Sequence, residues 1–186
     1  MPLLHQLRSA IRNASIAQAS YDVWWVHIEP KHRAARREDM APYSSFFRFN
    51  YQAHFANLFM STASLFDPSR NTISVPSVVR KAKAEGYDVS EHILADVDRL
   101  NSDFRVQGIL YVRNKLYAHL DDKLVPDEVF EDARIKIRDV GAVISESAMI
   151  LAEMAELVGL ERPETSTSVR DDLLALLDKL AGRSAT

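Results

Sequence analysis

Residues 108–122 read GILYVRNKLYAHLDD. On an α-helix turning 100° per residue, Val106, Ile109, Leu110, Leu116, Tyr117 and Leu120 all fall within about 60° of Arg113. A three-to-four-residue apolar rhythm of this kind specifies a helix with one face turned to a core. The centre of that face holds a guanidinium. Taking an unpaired guanidinium out of water costs several kcal/mol. Arg113 must therefore meet an anion, either a carboxylate of its own chain or a ligand in a cleft or interface. His119 lies farther along the same segment, about 120° round an ideal helix and about 9 Å along its axis from Arg113. One straight helix does not focus both groups on a single phosphate. Either the helix bends or ends near Tyr117, or two copies of the segment converge across a symmetric interface.

The rest of the chain supports the helical reading. Its 186 residues contain only five glycines and seven prolines, about half of the roughly 22 expected from average usage. Sheets need many turns, and turns need Gly and Pro, so sandwiches, barrels and Gly-rich phosphate loops are disfavoured. The composition predicts an all-α bundle of long helices in one domain. With 23 Lys+Arg against 26 Asp+Glu, the net charge of −3 carries no signature of bulk nucleic-acid coating. There is no cysteine, which removes disulfides, thiolate metal sites and cysteine nucleophiles and agrees with a reducing, cytoplasmic setting. The six histidines lack metal-ligand spacing, so neither a metal nor another cofactor is expected. MPLLHQLRSAIR at the N-terminus lacks the apolar core of a signal peptide. The longest charge-free run, Phe49 to Phe66, is too polar for a membrane span.

Along the chain, apolar periodicity predicts helices over 3–28 (Leu4, Leu7, Ile11, Ala14, Tyr21, Trp25, Ile28) and from Pro42 to near Asp67 (Phe47, Tyr51, Phe55, Leu58, Thr62, Leu65). Pro76 suits the first turn of a short helix ending near Gly86, and Ser90 suits an N-cap. From Ser90 to about Leu120 no proline intervenes, and the early stripe is Ile93, Val97, Leu100 and Phe104. A further helix runs from Pro126 to Gly159, and leucines 173–180 mark the last. The basic run KHRAARR at 31–37 reads as a surface loop after Pro30. Its Lys31, Arg33, Arg36 and Arg37, with Lys115, are candidate phosphate contacts. The expected organisation is a helical domain over 1–160, a polar linker at 161–168, and a C-terminal helix over 169–186 packed on the bundle or on a partner.

Arg113-Asn114, then four residues, then His119 resembles the signature of the HEPN superfamily, an Arg and a polar residue followed by a His. The surroundings resemble its bacterial abortive-infection (AbiU-like) branch: Trp24 and Trp25, SLFDPSRNTIS at 64–74, and RNKLYAHLDD ahead of the last long helix. The likeness covers most of residues 1–160. It implies a bundle that dimerises face to face, with the two motif helices near the two-fold axis. It also implies a metal-independent ribonuclease of a toxin or phage-defence system. In that mapping His119 is the general acid or base around the ribose 2′-hydroxyl, Arg113 holds the scissile phosphate, and Asn114 orients it. RNA, a second copy, and an antitoxin or nucleotidyltransferase are the implied partners. Some relatives carry a nucleotidyltransferase-modified Tyr two residues after the His, where this chain has Asp121. Asp121 and Asp122 place negative charge beside the motif. A non-catalytic HEPN-like module that binds RNA or protein is the alternative.

Overall fold

The computed structural model describes residues 2–69, 72–118, 126–163 and 168–182. All regular structure among them is helical: α1 (Leu3–Ile28), α2 (Pro30–Met40), a 3-10 turn (Ala41–Tyr43), α3 (Ser44–Ser64), α4 (Val75–Ala84), α5 (Glu91–Asn101), α6 (Phe104–Arg113) running into a π turn (Asn114–Ala118), α7 (Pro126–Ala133), α8 (Ile137–Leu157) and α9 (Ser168–Leu180). Among the described residues, no helix is long and apolar enough to cross a membrane.

Most ends follow the expected punctuation. Ser90 caps α5, its Oγ accepting from the Ile93 N–H at 3.3 Å. Gly159, at φ +75°, closes α8 in a Schellman turn: Gly159 N–H donates to Glu156 O, and Leu160 N–H to Ala155 O at 2.8 Å. Three expectations are corrected. The basic run 31–37 belongs to helix α2 rather than to a loop. Pro30 ends α1 yet occupies the first turn of α2, where a missing N–H costs nothing, and Ala, Arg and Glu then propagate the helix. The stretch from Ser90 divides at Ser102–Asp103, because Asp103 caps a new helix by accepting from the Arg105 N–H at 2.8 Å. Phe104, expected in the apolar stripe, is consequently 63% exposed. The helix expected over 126–158 breaks at Arg134, which adopts φ 54° in the left-handed region between α7 and α8.

The central helix is α1, packed on α3, α8 and α9. Its buried face is Leu3, Leu7, Ala10, Ala14 and Ala17, offset from the stripe read by large residues, since Leu4 is 41% exposed. Small side chains let neighbouring helices approach closely. Towards its C-terminal end Trp24 lies against Tyr51 and Phe55 of α3, and Phe55 and Phe59 continue to Phe130 of α7. A second, smaller cluster joins Val26, Phe47 and Leu177, seating α9. Two ion pairs hold α9 in place: Arg170 to the buried Asp22 of α1 at 3.0 Å, and Arg36 of α2 to Asp178 at 2.6 Å. Burial raises the Asp22 carboxyl pKa above its usual value. The outward face of α3 is apolar as well, with Phe46 60%, Phe49 71% and Met60 44% exposed.

Candidate functional site

The site is built from the two ends of sequence that meet beside α6. The first is the last turn of α6, ending in Arg113. Gly108 lets that helix lie flush against the corner between α7 and α8, where a Cβ would press on Ile135 and on the Ala133 carbonyl. The second is the Asp67-Pro68-Ser69 turn that follows α3. Asp67 Oδ1 accepts the Ser69 N–H at 2.9 Å, and the Thr72 hydroxyl donates to the Asp67 carbonyl at 3.0 Å. This turn presents Asp67 Oδ2 to Arg113 Nη2 at 3.1 Å. Hydrogen bonds from Ser69, and then the charge of Arg113, hold the Asp67 pKa below the usual carboxylate range.

Arg113 is thus paired, but incompletely. Among the described residues its Nε is buried without a hydrogen-bond partner, and its carboxylate contact, to Asp67, is made through Nη2. A guanidinium has five N–H donors, and a buried one left unsatisfied costs free energy. The side chain, 21% exposed, lines a cleft of about 530 Å³ with Asp67, Pro68, Ser69, Gln107, Leu110, Tyr111 and Asn114. Among the described residues the cleft therefore has one cationic fork, with donors that Asp67 does not occupy, and a polar wall. At its edge the backbone widens from α to π over Asn114–Ala118, a departure that recurs at functional sites.

Of the residues expected to act, the structure brings Arg113 and Asn114 into one cleft. His119 lies outside the described residues, as do Asp121 and Asp122. Lys115 is exposed, its Nζ 5.8 Å from the centroid of the Tyr111 ring, so it stands beside the cleft. Tyr111 in turn donates its hydroxyl to Asp132 at 3.3 Å. Lys31, Arg33, Arg36 and Arg37 all lie on α2, which packs on α1 and α9. The side chains of Lys31 and Arg33 are outside the described set, and Arg37 is exposed. Arg36 is turned to Asp178 and Asp39, with its side chain 13% exposed. The residue missed from sequence is Asp67. The available signal was that it ends the longest charge-free run, 49–66, within the segment already singled out for its likeness, while a buried arginine was in want of a carboxylate.

Other titratable groups lie elsewhere. Burial lowers the pKa of His27 and His54; His27 Nε2 is hydrogen-bonded to Asn50 Oδ1 at 3.0 Å. No group of three or more His, Asp or Glu side chains that could hold a metal occurs among the described residues.

A family model described as AbiU2, of the HEPN class, matches residues 2–176. No curated protein and no solved structure matches the chain.

Proposed function

The chain belongs to the AbiU2 family of HEPN proteins, and from that premise we propose that it is a metal-independent ribonuclease of a toxin or phage-defence system. The observation that carries the reading is Arg113: a guanidinium whose buried Nε has no partner among the described residues, fixed on one side by Asp67 and lining an open cleft. Such a group can meet the oxygens of a phosphodiester with the terminal N–H donors that Asp67 does not occupy. As the ribose 2′-oxygen attacks phosphorus and the bond to the 5′-oxygen breaks, charge builds on the non-bridging oxygens. Arg113 stabilises that charge from a fixed position. Asn114, beside it on the cleft wall, orients the same phosphate. His119 moves the proton, taking it from the 2′-hydroxyl or delivering it to the leaving oxygen, as imidazole does near neutral pH. A second copy contributes the matching helix, so that Arg113 and His119 need not converge from one helix alone. Lys31, Arg33, Arg37 and Lys115 supply further phosphate contacts.

The test is cleavage of several RNA substrates in EDTA by wild type, His119→Ala and Arg113→Ala. We expect cleavage by wild type, with each substitution lowering the rate at least 100-fold. Equal cleavage by all three would move the site elsewhere. RNA binding without turnover by wild type would favour the non-catalytic module instead. The Asp67 pair is the observation on that side, since a purely structural arginine also requires a carboxylate. In that case Arg113→Ala lowers stability without changing RNA binding.

A further inference from the structure

We infer that Tyr111 is the base-stacking residue of the Arg113 cleft: its ring takes one unpaired nucleobase of a single-stranded RNA, next to the phosphate that Arg113 holds. The inference rests on the reading of Arg113 as a phosphate contact, and it adds the class of RNA. The core-facing residues of α6 are Val106, Gly108, Ile109 and Val112. At 100° per residue, Gln107, Leu110, Tyr111 and Asn114 fall on the opposite face, and all four line the cleft with Arg113. The Tyr111 ring is half-buried. Part of it packs against the core, and the rest is left to the cleft.

Two contacts hold the ring in place. Its hydroxyl donates to Asp132 Oδ2 of α7 at 3.3 Å, and Lys115 Nζ lies 5.8 Å from the ring centroid. A ring already held loses little freedom when a ligand stacks on it. An ammonium over an exposed ring is a weak contact, weaker than a stacked base. Lys115 therefore yields the ring and remains beside it for the flanking phosphate.

Chemistry and size select the ligand. The cleft joins a guanidinium, suited to phosphate oxygens, to an aromatic surface. Its volume of about 530 Å³ lies in the range that accepts a small organic group, such as one nucleotide unit. A base and its own phosphate are joined through one ribose, and Tyr111 and Arg113 lie two residues apart, about 3 Å along the helix axis. Phosphate contacts position a strand without reading its bases. A stacking ring is more selective, because side chains reach base faces in single strands, loops, bulges and ends, where bases are unstacked. Base identity matters little here. The Gln107 amide, which could read a base edge, is turned back to donate to the Asn101 carbonyl at 3.1 Å, and stacking tolerates every base.

Binding is measured in EDTA on the full chain carrying His119→Ala, so that turnover does not consume the probes. Fluorescence anisotropy follows three labelled probes: a ten-nucleotide single-stranded RNA, the same RNA as a duplex, and an abasic ribose-phosphate oligomer of equal length. Tyr111→Leu, Tyr111→Phe and Tyr111→Trp are compared, with thermal circular dichroism and sedimentation verifying fold and assembly. We expect Tyr111→Leu to weaken binding of the single strand about 5- to 100-fold, as loss of one stacking ring does. Tyr111→Phe and Tyr111→Trp keep the ring and should stay within about threefold of the parent. The duplex and the abasic oligomer should be indifferent to all three. A single strand bound equally well by Tyr111→Leu overturns the inference. An equal loss on the abasic oligomer also overturns it, since the ring then serves only the phosphate site or the assembly. A loss with Tyr111→Phe as large as with Tyr111→Leu overturns it in favour of the hydroxyl tie to Asp132, and an equal loss on the duplex overturns the preference for single strands. No binding of any probe overturns it as well, and cleavage by wild type then still decides the ribonuclease. The expected pattern in a chain whose wild type cleaves no RNA keeps the stacking residue and removes the ribonuclease.

Discussion

Replacing Gly108 with alanine separates two opposed effects of known size. In a helix interior, Gly→Ala is favourable by about 1 kcal/mol, and α6 should gain that much. Against it, the new Cβ would sit 2.9 Å from the carbonyl oxygen of Ala133 and nearer still to Ile135 Cγ2. Ile135 is 7% exposed and could adjust only by repacking. The carbonyl is backbone, at the corner that Arg134 turns with φ 54°, and cannot rotate away. Forcing a methyl into packed surroundings typically costs about 1–3 kcal/mol; with backbone as one partner we take the upper half of that range. The net expectation is a loss of about 1–2 kcal/mol, or about 2–8 °C in Tm for a chain of this size. Differential scanning calorimetry measures it. Ile135→Ala in the same background is the internal control: it removes the side-chain collision but not the carbonyl, so Gly108→Ala should still be unfavourable there, by less. A Gly108→Ala protein as stable as wild type, or more so, would refute the claim that this glycine sets how closely α6 approaches the α7–α8 corner. Because Arg113 ends the same helix, a displaced α6 should also weaken RNA binding if the cleft is the site.

Three further outcomes are expected. Asp67→Ala removes the carboxylate partner of Arg113, a pair only about one-fifth exposed, and should cost about 0.5–2 kcal/mol in urea titrations. The folded Asp67 pKa is lowered, so its contribution is present above the unfolded value of 3.8 and is lost as pH falls through the folded one; the variant should lose stability less steeply there. Asp22 behaves oppositely. Its pKa is raised, mainly by burial, so wild-type stability should rise relative to Asp22→Asn as pH falls from 7 towards 4, and a difference independent of pH would contradict the raised value. Ser90→Ala should cost about 1 kcal/mol through loss of the α5 cap, with Ser90→Asp retaining most of it.

How much of this could be read beforehand depended on range. Helix ends marked by Pro or Gly, such as Pro30, Pro76, Gly86 and Gly159, were legible because those residues act on their own backbone. The break at Asp103 carried a local signal, a capping carboxylate, that an unbroken apolar rhythm overrode. The break at Arg134 carried none: a non-glycine residue takes a left-handed conformation between two helices that each pack on α6. The loop expected at 31–37 failed for the reverse reason, since charge was weighed above the helix propensity of Ala, Arg and Glu. The burial of Arg113 was legible from its place on the apolar arc. Its partner was not, because Asp67 lies 46 positions away and pairing across that distance is decided by tertiary packing alone.

The seating of α9 bears on how the molecule is made. Asp22 belongs to the first of the described helices, and Arg170, 148 positions later, to the last of them. While the intervening residues are being made, α1 carries a carboxylate destined for burial whose guanidinium has not yet been translated. Before then Asp22 must stay hydrated or take up a proton. That flank of α1 therefore stays open until α9 has been made and can dock on it. Contacts between residues so far apart in sequence carry a large loop-closure cost and slow folding. Until this one forms, the flank of α1 is open to anything that binds there first.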